Sequence, residues 1–288
     1  MIEPRAQWRA YLFYPLALVG TLAFIHADIH GWLGPLGKAY PLYLLVLISA
    51  MLALERITPM RREWGMTKKS FLHRDLPMLV VNGATIAATT YTVTWLAQRH
   101  GGLPLHKLAL PWQAEAVCAL LLSDFLWYWV HRYSHEGTGW FGRWLWKTHA
   151  IHHLPGEVYV FMHAVGHPIN TAYVRVILMI PVILFGFSPE AVFAASVFNG
   201  FQGLVSHFNV DSRAGWLNRL FMGTELHRFH HSANMDEAKN YAATVSIWDQ
   251  LFGTYCLPSS APEKLGVVDR ESYPQDLQWG KILSIPFR

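Results

Sequence analysis

Long apolar runs dominate the hydropathy pattern of this chain. Four of them approach the length of a bilayer-spanning helix and cover residues 11–27, 40–54, 77–97 and 113–130. Because the hydrocarbon core of a bilayer is about 30 Å thick, a helix needs roughly 20 mainly apolar residues to cross it. The pattern therefore predicts four transmembrane helices.

A further apolar region, 172–207, is interrupted. Pro181 lies inside it, and the sequence "GFSPE" is typical of a turn. Each half is short for a spanning helix, so the region predicts either a hairpin that dips into one leaflet or two additional spans. In both interpretations the chain returns to the face from which it entered.

Basic residues are distributed unevenly between the loops. The loops after the first and third apolar runs carry Lys38, and Arg99 with Lys107. The loop between the second and third apolar runs is more basic. The positive-inside rule places that loop, and with it both ends of the four-helix set, in the cytoplasm. Arg5 and Arg9 precede the first run without a following cleavage site, which predicts an uncleaved anchor. The more basic loop, between the second and third runs, carries Arg56, Arg61, Arg62, Lys68, Lys69 and Arg74.

Composition supports the membrane interpretation and excludes other classes. Hydrophobic residues make up 52% of the 288 positions and charged residues 15%, too apolar for an ordinary soluble domain. The net charge of +4 comes without a dense basic patch or a recognition motif, which argues against nucleic-acid binding. Two isolated cysteines, Cys118 and Cys256, cannot form a disulfide framework or a cysteine-rich metal site.

The predicted fold is an all-α integral membrane protein with about four transmembrane helices, a re-entrant or additional helical hairpin, and a cytoplasmic helical cap. We expect one membrane-embedded domain over 1–288. Membrane anchor helices occupy 1–112, the fourth helix and the cap occupy 113–256, and a polar cytoplasmic tail occupies 257–288.

Histidines are the candidate chemistry. Eleven of the sixteen lie between residues 131 and 231, most of them in regular motifs. Offsets of three and four residues place helical side chains on one face, so each motif can direct several imidazoles to one point. These motifs are His131 and His135 at i, i+4, followed by two i, i+3, i+4 sets, namely His149, His152 and His153, and His227, His230 and His231.

A protease site, a single structural zinc and a metal-free cluster all fit these histidines less well. The His-Glu-x-x-His sequence of zinc metalloproteases is absent, and a single structural zinc needs only four ligands. Clustered imidazoles without a metal repel one another whenever one is protonated. Eight motif histidines therefore predict a site for two metal ions, and imidazole alone leaves iron, zinc, copper and nickel open.

The order and spacing of "DFLWYWVHRYSH", "HAIHH", "GHP", "SHFNV", "ELHRFHH", "NYAA" and "WDQLFGTY" resemble the fatty acid hydroxylase / sterol desaturase superfamily. The resemblance covers 124–255. It implies a membrane-bound non-haem di-iron enzyme of a bacterial type. Together with the positive-inside rule, it predicts a protein of the bacterial inner membrane with its histidine site on the cytoplasmic face. It also implies that the eight motif histidines are iron ligands and that His207 is a ninth.

One position departs from the family pattern. Several members carry a second histidine four residues before the one that matches His207, and here that position is Gly203. A ligand is therefore missing, or it comes from water or from elsewhere in the chain. His163 and His167 are the further candidates, and the alternative for both is hydrogen bonding to the cap.

Polar residues near the motifs are candidates for supporting the ligands. Asp124 lies seven residues before His131, two helical turns along the same face, so its carboxylate can accept the outer N–H of a ligand imidazole. The alternative is a buried, paired aspartate in helix packing. Glu225 and Asp249 are candidates for the same role or for cap contacts, and Asn240 belongs to a family signature expected to fix the cap.

The resemblance implies that the protein hydroxylates a C–H bond of a lipid, such as a fatty acyl chain, an ether lipid or a sterol, using O₂. Two iron ions are the expected cofactor, and zinc can occupy the same imidazoles in purified protein. The sequence lacks an electron-carrier motif. A separate ferredoxin, flavodoxin, cytochrome or small reductant is therefore the expected donor. The alternatives are a desaturase of the same superfamily and, more distantly, a membrane metal-binding or transport protein.

Overall fold

The fold is described by a computed structural model that covers residues 8–99, 110–275 and 278–288. Arg5 and Lys107, used above for membrane orientation, lie outside these ranges. Within them the regular structure is helical, apart from two isolated bridges that pair Pro59 with Val210 and Ser232 with Leu265. The α-helices of more than three residues are α1 (Phe13–Ile29), α2 (Tyr40–Ile57), α3 (Leu76–Arg99), α4 (Trp112–Glu136), α5 (Gly139–His153), α6 (Pro168–Phe185), α7 (Pro189–Ser206), α8 (Thr224–His230), α9 (Ile247–Leu251) and α10 (Trp279–Leu283).

Four helical stretches in the described residues are long and apolar enough to cross a membrane. They are Trp8–Ile29, Tyr40–Ile57, Arg62–Arg99 and Pro168–Phe185. The first three contain the first three predicted spans. The fourth is α6, which is the first half of the interrupted region. The sequence pattern had instead predicted a fourth span over 113–130, which lies in α4.

The difference arises from the polar residues of α4. Glu115, Ser123 and Asp124 are all buried on this helix, which packs against α5, α6 and α7. Glu115 accepts hydrogen bonds from the backbone N–H and hydroxyl of Ser188, and Ser123 donates to the carbonyl of Leu178. Because these groups are satisfied by neighbouring helices, α4 is the inner helix of the bundle and needs less lipid-compatible surface.

The interrupted apolar region forms the hairpin of α6 and α7. Pro181 lies inside α6 without ending it, so the predicted break at this proline is wrong. The turn lies in "GFSPE", where Gly186 ends α6 in the left-handed region at φ 58° and the Ser188 hydroxyl accepts from the Ala191 N–H at the start of α7. Glycine tolerates this backbone conformation without a steric cost, and the serine caps the next helix.

The C-terminal residues pack on the cap. The Gly266 N–H donates to the carbonyl of His231, and the Trp146 indole donates to the hydroxyl of Tyr273. The indole of Trp279, in α10, donates to the carbonyl of His73 near the start of the third span. These contacts hold the C-terminal residues against the cap and against the third span.

Candidate metal centre

Nine histidines converge at the ends of α4, α5, α7 and α8. They form two compact groups in which the candidate ligand atoms lie within 4.8 Å of one another. The five-histidine group consists of His131, His135, His149, His153 and His230. The four-histidine group consists of His152, His207, His227 and His231.

Each three-histidine motif is divided between the two groups. In α5, His149 and His153 enter the five-histidine group, whereas His152 enters the four-histidine group. The motif at the end of α8 is divided the other way. His227 and His231 join the four-histidine group, and His230 joins the five-histidine group. Residues four apart on a helix share a face and the residue between them points aside, so one helical turn serves two adjacent centres.

The inner nitrogens of these rings are spaced as ligands of one ion would be. Neighbouring Nε2 atoms within each group lie 2.9–3.1 Å apart, for example His131 with His149 and His207 with His227. Two nitrogens that bind one ion at right angles, each at about 2.1 Å, are about 3.0 Å apart, whereas a tetrahedral angle separates them by about 3.4 Å. Nitrogens at these distances can therefore bind one shared ion in each group.

The outer nitrogens are held by backbone carbonyls. The Nδ1–H of His131 donates to the Tyr241 carbonyl at 2.6 Å, and that of His152 donates to Val165 at 2.8 Å. Those of His207 and His230 donate to carbonyls at 2.9 Å in the same way. With the proton on Nδ1, each Nε2 carries a lone pair directed inward, and these lone pairs repel one another unless a cation lies between them.

Three buried ring nitrogens in the described residues have no hydrogen-bond partner. They are Nε2 of His135, Nδ1 of His227 and Nε2 of His230. A buried polar atom without a partner costs free energy, and a metal ion satisfies such an atom by coordination. Coordination in the five-histidine group would satisfy the Nε2 atoms of His135 and His230, whereas the Nδ1 of His227 belongs to a ring whose Nε2 faces inward. The inward nitrogens of each group can hold a metal ion.

Burial also keeps these imidazoles neutral. It lowers the pKa of His152 to about 4 and that of His230 to about 3. Burial, together with the neighbouring imidazoles, holds the pKa of His149 and His153 well below the ordinary value. Neutral imidazole is the form that binds a metal, so the site is prepared for cations at neutral pH.

Asp124 and Asp249 support the ligands indirectly. The sequence suggested that Asp124 contacts a ligand imidazole. In the structure its carboxylate instead accepts the backbone N–H groups of residues 243–245. Asp249 accepts the N–H groups of Tyr241 and Ala242 and the hydroxyl of Thr254. Both carboxylates therefore fix the segment whose Tyr241 carbonyl orients His131.

Glu225 and Asn240 fix the cap. Glu225 accepts from the Ala214 N–H and the Asn218 amide, and it bonds to no ring of the two groups. Asn240 has a positive φ of 61°, which asparagine tolerates better than most residues, and its amide donates to the carbonyls of Leu226 and Cys256. The carbonyls that do hold the rings carry no side-chain signal in the sequence, which is why the sequence did not identify them.

His163 and His167 lie outside both groups. The Nδ1 of His167 accepts from the Ile169 N–H at the start of α6, and its Nε2 donates to the carbonyl of Leu283. His167 is therefore a helix cap tied to the C-terminal segment. The ring of His163 lies beside His207, with ring centroids 5.6 Å apart.

A cavity of about 320 Å³ opens beside the five-histidine group. Its lining includes His135, His153 and His230, together with the charged residues Arg143 and Asp269. Ser134, Trp146, Met235 and Tyr273 also line this cavity, so three histidines of the five-histidine group border a space next to the C-terminal segment.

Comparisons with known proteins agree with this geometry. A family model described as fatty acid hydroxylase matches residues 116–254. The ornithine lipid hydroxylase OlsE of Rhizobium tropici is 33% identical over 224 residues, which cover 74% of this chain and 66% of that protein. Alkylglycerol monooxygenase of Homo sapiens is 32% identical over 175 residues, 59% of this chain and 36% of that protein.

The alkylglycerol monooxygenase of Danio rerio is 30% identical over 205 residues, 69% of this chain and 41% of that protein. The chain thus spans less than two thirds of the length of these curated relatives. No solved structure matches this chain. All nine grouped histidines lie within the region that the family model matches. The resemblance of the motifs is confirmed: residues 116–254 form a fatty acid hydroxylase domain, and the homologues of the chain belong to the fatty acid hydroxylase / sterol desaturase superfamily.

Proposed function

We propose that this protein is a membrane-bound di-iron oxygenase that hydroxylates a C–H bond of a lipid with O₂ and external electrons. One observation carries the proposal: nine neutral imidazoles form two adjacent groups with inward lone pairs at the end of an apolar helix bundle. The names of the relatives, an ornithine lipid hydroxylase and alkylglycerol monooxygenases, support the same reaction type.

Two iron ions suit the donor set. Imidazole binds iron, and the five imidazoles of the larger group exceed the four ligands of the tetrahedral coordination typical of zinc. When bound, the iron pair supplies the activation of O₂ that insertion of oxygen into an unactivated C–H bond requires. Zinc can take the same positions in purified protein, because it follows iron in the general order of affinity.

The chain itself contributes orientation and shielding. The Nδ1–H groups of His131 and His152 donate to fixed carbonyls, which hold the rings in place before any metal binds. The indole of Trp127 stacks on His131 with ring centroids 4.7 Å apart and is itself buried. These contacts exclude water from one side of the five-histidine group.

The substrate we propose is a lipid whose polar head stays at the membrane surface. The four-histidine group is built partly on α7, the second helix of the hairpin, and α7 follows directly on the spanning helix α6. We therefore propose that the lipid chain approaches the metal positions from the side of α6 and α7, with its head group outside the bilayer. The ornithine lipid and alkylglycerol named for the relatives are both lipids of this kind.

We place the site on the cytoplasmic face, in the inner membrane of a bacterium. The basic loop between α2 and α3 lies on the histidine side of the bundle. The Arg61 backbone N–H donates to the side chain of Asn209, two residues after His207, and the Arg61 guanidinium donates to carbonyls of the C-terminal segment. The positive-inside rule then puts the histidines in the cytoplasm. A separate ferredoxin, flavodoxin, cytochrome or small reductant would deliver the electrons there.

The proposal is tested by the products formed. Membranes from cells that express the wild type, His149→Ala or no copy of the gene are incubated with a reducing system and heavy-isotope O₂, and their lipids are analysed by mass spectrometry. We expect one lipid class to gain a single labelled oxygen with the wild type alone. A loss of two hydrogens without label would identify a desaturase instead. Identical lipids in all three samples, or metal binding without O₂ consumption, would overturn the oxygenase assignment.

A further inference from the structure

The two histidine groups differ by one ligand. Five imidazoles meet in one group and four in the other, although the motifs of α5 and α8 contribute to both in a reciprocal way. One additional histidine, His163, lies next to the smaller group in the turn Val160–Ala164. The smaller group is therefore the one that has both a shortfall and a neighbouring candidate.

His163 fills the space next to Gly203. A Cβ atom at position 203 would lie 2.2 Å from the Cε1 atom of His163 and 2.8 Å from each of its ring nitrogens. Position 203 must therefore be glycine for the ring to lie there. Position 203 is also four residues before His207 on α7, so both share one helix face. The imidazole of His163 thus occupies the place into which a side chain beside His207 would project.

The ring of His163 lies beside one member of the four-histidine group. Its centroid is 5.6 Å from that of His207, a separation within the 4.4–6.2 Å range of the ring pairs inside the group. Its nitrogens have no hydrogen-bond partner in the part of the chain that the structure describes, in contrast with those of His167. The side chain is exposed and so can rotate.

We propose that His163 is the fifth nitrogen ligand of the metal ion in the four-histidine group, in place of a histidine at position 203. This inference rests on the proposed function only in requiring two bound metal ions. The ring nitrogens of His163 are not among the ligand atoms of the four-histidine group that lie within 4.8 Å of one another. A rotation of the His163 side chain would bring one of them into the group. Both ions then have five imidazoles, and an octahedral ion in either group keeps one position for another ligand.

Metal retention tests the inference without any measurement of activity. Purified wild type, His163→Ala, Gly203→His and the double variant are loaded with iron, challenged with a chelator and analysed for metal per chain. We expect two ions in the wild type. In His163→Ala we expect the chelator to remove one of the two ions, because the affinity of the four-histidine group for its ion falls at least about 10-fold. The double variant should regain the second ion, because the new histidine projects into the vacated space.

Two further variants complete the experiment. Gly203→His alone should hold the second ion no more firmly than the wild type, because the new Cβ displaces the ring of His163 as the new imidazole takes its place. His167→Ala is the matched control and should keep both ions, since His167 caps a helix outside the groups. If His163→Ala kept both ions as firmly as the wild type, His163 would not be a ligand, while the proposed function would stand.

A wild type that bound no pair of ions would overturn the proposed function together with this inference. If His163→Ala did not fold, the double variant would decide. Two retained ions in the double variant would support the exchange of ligand between the two positions, and one retained ion would contradict it.

Discussion

The carboxylate of Glu55 accepts a hydrogen bond of 2.9 Å from the backbone N–H of Asn209, two residues after His207. The same oxygen atom accepts the backbone N–H of Val160 at 2.9 Å, at the start of the turn that carries His163. One side chain on the spanning helix α2 thus connects the two segments that border the four-histidine group. It fixes their separation from the membrane side.

Replacing Glu55 with alanine should loosen the four-histidine group. Val160 and Asn209 are almost completely buried, so their N–H groups would lose a partner that water cannot easily replace. Each unsatisfied group costs about 1–3 kcal/mol. We expect a lower melting temperature in detergent and faster release of one metal ion to a chelator. Glu55→Gln keeps an acceptor oxygen and should lie between the two. An alanine variant as stable as the glutamine variant would contradict this role.

Asp124 should matter for the five-histidine group although it contacts none of the rings. Its carboxylate holds the N–H groups of residues 243–245, close to the Tyr241 carbonyl that orients His131. A buried N–H group left without its partner costs about 1–3 kcal/mol. In Asp124→Ala we therefore expect reduced stability and weaker retention of one ion, measured by thermal unfolding and metal analysis.

The control for Asp124 is an aspartate on the surface. Asp236 is exposed, and we expect Asp236→Ala to keep the melting temperature and the metal content of the wild type. Equal metal retention in the two variants would show that the segment 241–245 orients His131 without help from Asp124.

Much of the fold follows from the sequence because hydropathy and helix length depend on local composition. The spans that contain α1, α2 and α3, and the α6–α7 hairpin, correspond to the apolar runs. The membrane role of α4 could not be predicted in this way. Its buried Glu115 and Asp124 are satisfied by Ser188 and by the backbone of residues 243–245, which are distant in the chain.

The histidines show the same division between local and tertiary information. Their i, i+3, i+4 spacing indicates that they point to shared centres, and nine of the eleven candidates lie in the two groups. The spacing does not reveal that each motif serves both groups, because that depends on how α5 and α8 face each other. The position of His163 against Gly203 was also hidden, since the two residues are 40 positions apart in the chain.

Metal-free protein should lose stability as the pH falls below neutrality. Burial lowers the pKa of His152 to about 4 and that of His230 to about 3 in the folded protein, whereas unfolded histidine titrates near 6.5. The unfolded chain therefore binds more protons below about pH 6.5, so acid favours unfolding. The contribution of these residues is fully present above that pH and decreases down to about pH 3.

Thermal unfolding of chelator-treated protein at several pH values measures this effect. We expect the melting temperature to fall between pH 7 and pH 5, and to fall less when His152 and His230 are both replaced with glutamine, which does not titrate. A melting temperature independent of pH over this range would contradict the burial of neutral imidazoles. Bound metal should shift the loss of stability to lower pH, because protons and metal compete for the same nitrogens.

The turn between α4 and α5 should determine whether the five-histidine group assembles at all. A Cβ atom at Gly142 would lie 2.4 Å from the backbone carbon of Gly137 and 2.5 Å from its oxygen, and no side-chain movement relieves such a contact. Gly142→Ala must therefore separate the two helices and with them His131 and His149, so we expect loss of bound metal and a lower melting temperature. Gly83→Ala, on α3 with open space around it, is the control and should be neutral or slightly stabilising. Full metal content in Gly142→Ala would show that the group assembles without this close turn.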